Sequence, residues 1–499
     1  MSSRQRPAEF SGEIPEGWAE PYLVECADVI MGQSPPGNTY NQERDGLPFF
    51  QGKADFGAMY PVPRKWCTDP RRIAEPGDIL MSVRAPVGPT NVADVRCIIG
   101  RGLAAIRPLG DVREQIILYA VRMQEKELAD LGTGSTFTAI NRSVIEEARI
   151  PLPPLAEQER IVAKLEEVLA RVNNARERLA KVPAILKRFR QSVLAAACSG
   201  RLTADWREQH PDLEAAKLLL ERVRATRRET LRGTGGESQR DVDPTLLPDI
   251  PETWTWVFLP ELGELNRGKS RHRPRNASHL FGGPYPFIQT GDVAQSGGRI
   301  TCHQQSYSEA GLAQSRLWPA GTVCITIAAN IADSAILTYP ACFPDSVVGI
   351  IADPDLCTAE YVEFFIRTAR DDLSQFAPAT AQKNINVAIL GEVAVPLPPF
   401  LEQREIACRT DHLFSLAKTI EERVAKATIR ADKLTQSTLA RAFRGELVPT
   451  EAELARAEDR SYESAAELLE RIRLSRESNS NSKHACRSNT RKRSQASYK

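Results

Sequence analysis

The sequence predicts an α+β fold: two mixed α/β domains joined by two long helices that form an antiparallel coiled coil, with a pseudo-two-fold internal repeat. Three observations carry this expectation. Segments from the edges and later parts of one half recur in the other. Each half holds a long apolar stripe at coiled-coil spacing. Between the recurring segments lie runs with strand and turn patterning that agree poorly between halves.

The repeat is read directly. Residues 151–161 are PLPPLAEQERI and residues 396–406 are PLPPFLEQREI, identical at seven of eleven positions at an offset of 245. The same offset aligns QSVLAAACSGRL (191–202) with QSTLARAFRGEL (436–447), and AINRSVI (139–145) with NINVAIL (384–390). AAKLLLERVR (215–224) echoes AAELLERIR (465–473), and IPEGW (14–18) matches IPETW (250–254). Self-similarity on this scale means two copies of one unit.

The helices follow from periodicity. Steps of four and three from Ile161 meet Leu165, Val168, Val172, Ala175, Leu179, Val182, Leu186, Phe189 and Val193. The same steps in the second copy meet Ile406, Thr410, Leu413, Ala417, Ile420, Val424, Ala427, Ala431, Leu434 and Thr438. A 3.5-residue period keeps one stripe against a partner helix. The expected seam is Ile161, Leu165, Val168, Val172, Leu179 and Leu186 against Ile406, Leu413, Ile420, Val424 and Leu434. Residues 161–193 span about 50 Å as helix. Both rods should start after PLPP, because proline cannot sit in a helix interior, and stop near Gly200 and Gly445. Pro183 should kink or open the first rod, where the second has Thr428. With a whole domain between them the rods can lie antiparallel, which places the variable domains at opposite ends.

The variable domains read as β-rich. Strands are expected in 22–30, 75–83, 97–106, 254–259, 319–327 and 335–339, where Gly turns and apolar runs alternate, and helices near 112–129 and 359–375. The resulting layout is a first variable domain at 14–150, a first helical region at 151–232, a linker at 233–249, a second variable domain at 250–395, a second helical region at 396–474, and a disordered basic tail at 475–499.

Composition excludes several classes. With 42% hydrophobic and 26% charged residues the chain is ordinary for a globular protein. No apolar run suits a membrane span, and the N-terminus lacks a secretory pattern. The ten Cys and six His are scattered, so a disulfide framework or zinc site is not expected, and a cytoplasmic location is. The net charge of +1 means that nucleic acid could be held only by local basic patches.

The doubled PLPPxxEQ segments and QSxLAxA…GxL helix ends resemble the specificity (S) subunit of type I restriction–modification systems, over roughly 14–474. The resemblance implies that each variable domain is a target recognition domain reading one half of a split, asymmetric site in double-stranded DNA. It implies that the helices set the gap, and that two DNA adenine methyltransferase (M) subunits and restriction/translocation (R) subunits dock on the chain. It further implies no catalysis by this chain, with S-adenosylmethionine, ATP and Mg used by the partners.

Candidate DNA-binding residues come from the basic side chains. The stretch RGKSRHRPR (267–275) supplies Arg267, Lys269, Arg271, Arg273 and Arg275, since Arg suits phosphates and guanine edges. In the first variable domain the candidates are Lys53, Arg64, Lys65, Arg71, Arg72 and Arg84, and Lys383 in QKNIN could touch a phosphate. No catalytic or metal-ligating set is expected. GELNRGKS (263–270) matches the phosphate-loop pattern Gly-x4-Gly-Lys-Ser, which leaves a P-loop NTPase as an alternative. That reading needs a helix starting at GKS, whereas RHRPRNASH with Pro274 follows. A coiled-coil scaffold without DNA contact is the other alternative. A self-contained methyltransferase would need an Asn- or Asp-Pro-Pro-aromatic segment, which the chain lacks.

Overall fold

A computed structural model describes residues 13–132, 139–230, 241–272, 274, 276–328, 332–370 and 386–478. The chain forms two compact units: residues up to Leu179 together with those from Lys426 onward, and Ala180–Ala425. Each unit therefore contains one variable domain and a portion of both long helices.

The long helices are Leu155–Cys198 and Phe400–Phe443, 44 residues each. At 1.5 Å per residue each is about 66 Å long, more than the seam alone predicted. Both begin at the residue after PLPP. The Pro154 carbonyl accepts from the Glu157 and Gln158 amides, both at 2.9 Å. Both stop at the expected glycines, with Gly200 at φ 73° and Gly445 at φ 72°. Close packing also requires glycine there: an added Cβ would lie 2.5 Å from the Pro251 ring at Gly200 and 2.6 Å from the Pro15 ring at Gly445. The first helix runs unbroken through Pro183.

The helices pair antiparallel within each unit. In the first, Ile161 and Leu165 share a core with Leu439, Ala442 and Phe443, while Arg176 reaches Asp432 at 2.6 Å and Thr435 at 3.1 Å. In the second, Arg190 grips Glu421 through two bonds of 2.6 and 2.9 Å, and Leu194 and Ala197 share a core with Ile406. Ile161, Leu165, Val172, Leu186 and Ile406 are buried. Val168, Leu179, Leu413, Ile420 and Val424 are partly buried. Leu434 is a correction: it is 49% exposed and lies off the seam. An α-helix drifts about 20° per heptad from a strict 3.5 repeat. Four heptads beyond Ile406, the residue facing the partner is Thr435, and opposite it Arg176 takes the place expected for Ala175, which is exposed.

Each unit holds the same antiparallel sheet. In the first unit the order is Ala27–Met31, Leu103–Pro108, Ile79–Ser82, Thr90–Val92. In the second it is Gly263–Arg267, Val347–Ala352, Val323–Thr326, Ser334–Leu337, extended by a parallel Arg299–Ile300. The topology is shared although the sequences diverge. Helices Glu114–Met123 and Ala359–Thr368 pack on these sheets through a buried face. The strand expected at 22–30 begins only at Ala27. Leu23–Cys26 form a helical turn instead, because burial of Leu23 and Cys26 needs a three-residue spacing and Glu25 accepts from the Tyr22 amide. Residues 475–478, expected to open the disordered tail, are helical instead, within a helix described over 465–478, and Arg476 bonds Asp28 at 2.6 Å. Residues 233–240 of the expected linker lie outside the described residues, as do 231–232 of the expected helical region and the rest of the tail.

Candidate nucleic-acid interface

The doubled EQ pair is the anchor of each head. Glu157 and Glu402 are fully buried. Trp18, from IPEGW, donates its indole N–H to Glu157 at 3.0 Å, and Trp254, from IPETW, does the same to Glu402 at 2.9 Å. Burial pushes the Glu157 carboxyl above its ordinary range, opposed by donors that include the Glu451 amide. Around Glu402 the further donors are Thr203 at 2.6 Å and the Arg207 guanidinium at 2.8 Å. The neighbouring glutamines finish the joint. Gln158 accepts the Arg113 amide at 3.0 Å and Gln403 the Thr358 amide at 2.9 Å, which caps the helices Glu114–Met123 and Ala359–Thr368. A buried donor or acceptor without a partner costs about 1–3 kcal/mol, so each head is held in one orientation on its helix start.

Above this anchor three segments converge in each head. In the first, the Gln33 amide donates to Ile99, the Gly100 amide to Phe50 and the Arg101 amide to Ser34. In the second, the Gly268 amide donates to Val347 and the Ile288 amide to Cys342. Phe49 runs parallel to Ile98, as Phe287 does to Cys342. PFFQ (48–51) and PFIQ (286–289) therefore occupy equivalent places. Each ends in an exposed glutamine whose amide is held by an aspartate, Asp55 at 2.7 Å and Asp292 at 2.8 Å.

Five of the six basic candidates of the first head surround its small five-stranded sheet, in the order Tyr40–Asn41, Trp66–Cys67, Leu47–Phe50, Cys97–Ile99, Ile73–Ala74. Lys53 opens a 3-10 turn after Leu47–Phe50, and exposed Arg64 and Lys65 lead into Trp66–Cys67. Exposed Arg72 precedes Ile73–Ala74, and Arg71 is held by Asp69 at 2.9 Å. Arg84 stands apart, bridging Ala139 beyond the strand Ile79–Ser82. In the second head Arg267, Lys269 and Arg271 are exposed, and the Arg267 guanidinium donates to the Asp345 carbonyl. Arg273, Arg275 and Lys383 lie outside the described residues. The basic pattern does not single out Gln33, Gln51, Arg101, Gln289 or Tyr60, which are exposed in the same region of their heads, Tyr60 at 53%. The PFFQ/PFIQ match was the signal for the two glutamines.

The phosphate-loop reading fails on this geometry. Gly263 lies within a strand and pairs with Ala352, and the Gly268 amide is spent on Val347. No helix starts at Lys269. A phosphate cradle needs those amides free and a helix N-terminus behind them.

Among the described residues no helix is long and apolar enough to cross a membrane, and no group of three or more potential metal ligands converges. The family model for the type I restriction modification DNA specificity domain matches residues 68–184 and 251–427. The EcoDI type I restriction enzyme specificity subunit of Escherichia coli is 28% identical over 482 residues, covering 93% of this chain and 97% of that one. The EcoKI specificity subunit of Escherichia coli K12 is 28% identical over 495 residues, with the same coverage. A protein assigned as the MjaX specificity subunit of Methanocaldococcus jannaschii is 42% identical over 163 residues, 32% of this chain and 38% of that protein. The fold is shared with a chain solved for complex assembly and conformational transition of the type I R-M system (TM-score 0.65, 20% identity, 87% of this chain and 99% of that one). It is also shared with the HsdS subunit of Thermoanaerobacter tengcongensis (TM-score 0.52, 20% identity, 88% and 99%). The chain belongs to the type I restriction–modification DNA specificity family.

Proposed function

We propose that this chain reads a bipartite, asymmetric site in double-stranded DNA, each head reading one half, and that the paired helices set the gap between the halves. The observation that carries this reading is the pair of heads itself. Both have one sheet topology and one anchor, yet they present different side chains where the three segments converge: Gln33, Lys53 and Arg101 in one, Lys269 and Asp345 in the other. Base edges are read by side chains, while the frame sets register. Like frames with unlike surfaces suit unlike half-sites.

In this reading the chain is non-catalytic. Two adenine methyltransferase subunits dock on its repeated helical surfaces, and restriction/translocation subunits complete the complex. S-adenosylmethionine, ATP and Mg belong to those partners, and the assembly works in the cytoplasm. The test is to map methylated adenines in a host carrying this gene with its cognate methyltransferase gene. One motif of two different half-sites at a fixed gap is expected. A continuous or palindromic motif would refute the reading.

A further inference from the structure

We infer that Gln51 and Gln289 are specificity-determining residues, each reading an adenine edge for its own head. This rests on the DNA-reading function proposed above. The chain has other glutamines in equivalent places, Gln158 and Gln403, and these show what structural duty looks like. They are fully buried, and their carboxamides bond Pro153 and Arg113, or Pro398, Leu356 and Thr358. Gln51 and Gln289 are the reverse. Both side chains are exposed while both backbones are fixed by an aspartate. Among the described residues the Gln51 carboxamide has no hydrogen-bond partner. The Gln289 carboxamide has one, Gln305, itself exposed, at 2.7 Å.

The backbone just beyond both is uncrowded. A Cβ added at Gly52 or at Gly291 would meet nothing within 4 Å. Behind Gln51 the chain is closely packed instead: a Cβ at Gly102 would lie 2.2 Å from the Gln51 carbonyl. A rigid backbone carrying an exposed carboxamide suits docking against a flat polar edge. A carboxamide offers one acceptor and one donor side by side, which matches the N6 donor and N7 acceptor of adenine in the major groove. Gln305 acts as a positioning residue for Gln289, because its bond takes one N–H and leaves the other N–H and the oxygen for the base.

The two heads then read one adenine each by the same device, and their half-sites differ through the neighbours that differ. The test uses the complex of this chain with its cognate methyltransferase subunits, comparing wild type with Gln51→Ala, Gln51→Glu and Gln289→Ala. The readouts are the methylated motif and competition between duplexes altered at single positions. Each variant should relax one adenine position in one half-site, by roughly 5- to 150-fold in discrimination, and leave the other half-site unchanged. The Glu variant keeps the size of the side chain but loses the donor to N7. Gln305→Ala should relax the same position as Gln289→Ala, by less. An unchanged motif, relaxation at a base other than adenine, or loss of both half-sites together in both Gln51 variants would overturn the inference. In each of those cases a bipartite wild-type motif would leave the proposed function standing, whereas a wild type without one would remove that function first.

Discussion

Replacing Glu402 by Ala should cost about 3–5 kcal/mol of stability, the range found when one partner of a buried ion pair is removed. The carboxylate is fully buried and receives Trp254 at 2.9 Å, Thr203 at 2.6 Å and Arg207 at 2.8 and 3.1 Å. Its loss strands an indole N–H, a hydroxyl and a guanidinium whose side chain is only 19% exposed. The matched control is Glu421→Ala. That carboxylate also holds an arginine through two bonds, but the pair is 31% and 44% exposed, so about 0–1 kcal/mol is expected. Urea unfolding gives the two losses, and hydrogen exchange locates them. In Glu402→Ala, the helix Ala204–Glu208 and the helix Ala216–Thr230 should lose protection first, since the first hangs on this carboxylate and the second packs beside Trp254. Equal small losses for both variants would refute the claim that the buried carboxylate locks the head to its helix.

Two further outcomes follow from local geometry. Gly445→Ala should destabilise by about 1–3 kcal/mol, because φ is 72° and Pro15 blocks the new Cβ. Gly321→Ala, at φ 86° in open space, should show the backbone part alone, and equal losses would mean that the Pro15 contact is irrelevant. Burial pushes the Glu363 carboxyl up to about 7 from 4.5, although Arg367 and Ser334 oppose the shift. The folded state therefore holds the proton longer than the unfolded state, and this group's contribution to stability falls as pH rises from about 4.5 to about 7. Glu363→Gln should flatten that part of a stability profile measured by denaturant titration, and an unchanged slope would contradict the assignment.

The helical frame was legible because its signals are local and repeated. PLPP marks where a helix can begin, Gly200 and Gly445 mark where it ends, and a 3.5-residue stripe spans the interval. Leu434 was misplaced because strict heptad counting ignores the slow rotation of a real α-helix. Five main-sheet strands, Ala27–Met31, Ile79–Ser82, Leu103–Pro108, Val323–Thr326 and Ser334–Leu337, were legible from apolar runs, whereas Thr90–Val92, Gly263–Arg267 and Val347–Ala352 were not expected. The two-residue strands Tyr40–Asn41, Trp66–Cys67 and Ile73–Ala74 were not, since pairing across the chain defines them and no periodicity fits in two residues. The anchor was half legible. EQ stood out as a repeat, but a buried glutamate is stable only through donors such as Arg207, distant in sequence from Glu402. At the candidate interface, charge points to exposed Lys53 and Lys269 but not to Gln51 and Gln289, whose proposed role rests on paired donor and acceptor groups.

The most direct test of the central claim lengthens the frame and leaves the heads alone. Seven residues of helix-forming sequence are inserted after Leu179 and seven after Ala425, which preserves the seam in both helices. Each insertion adds about 10 Å of helix, or about 3 base pairs of duplex. Motif mapping with the cognate methyltransferase should return both half-sites unchanged, with a gap longer by about 3 base pairs. An unchanged gap, or an altered half-site sequence, would contradict the account.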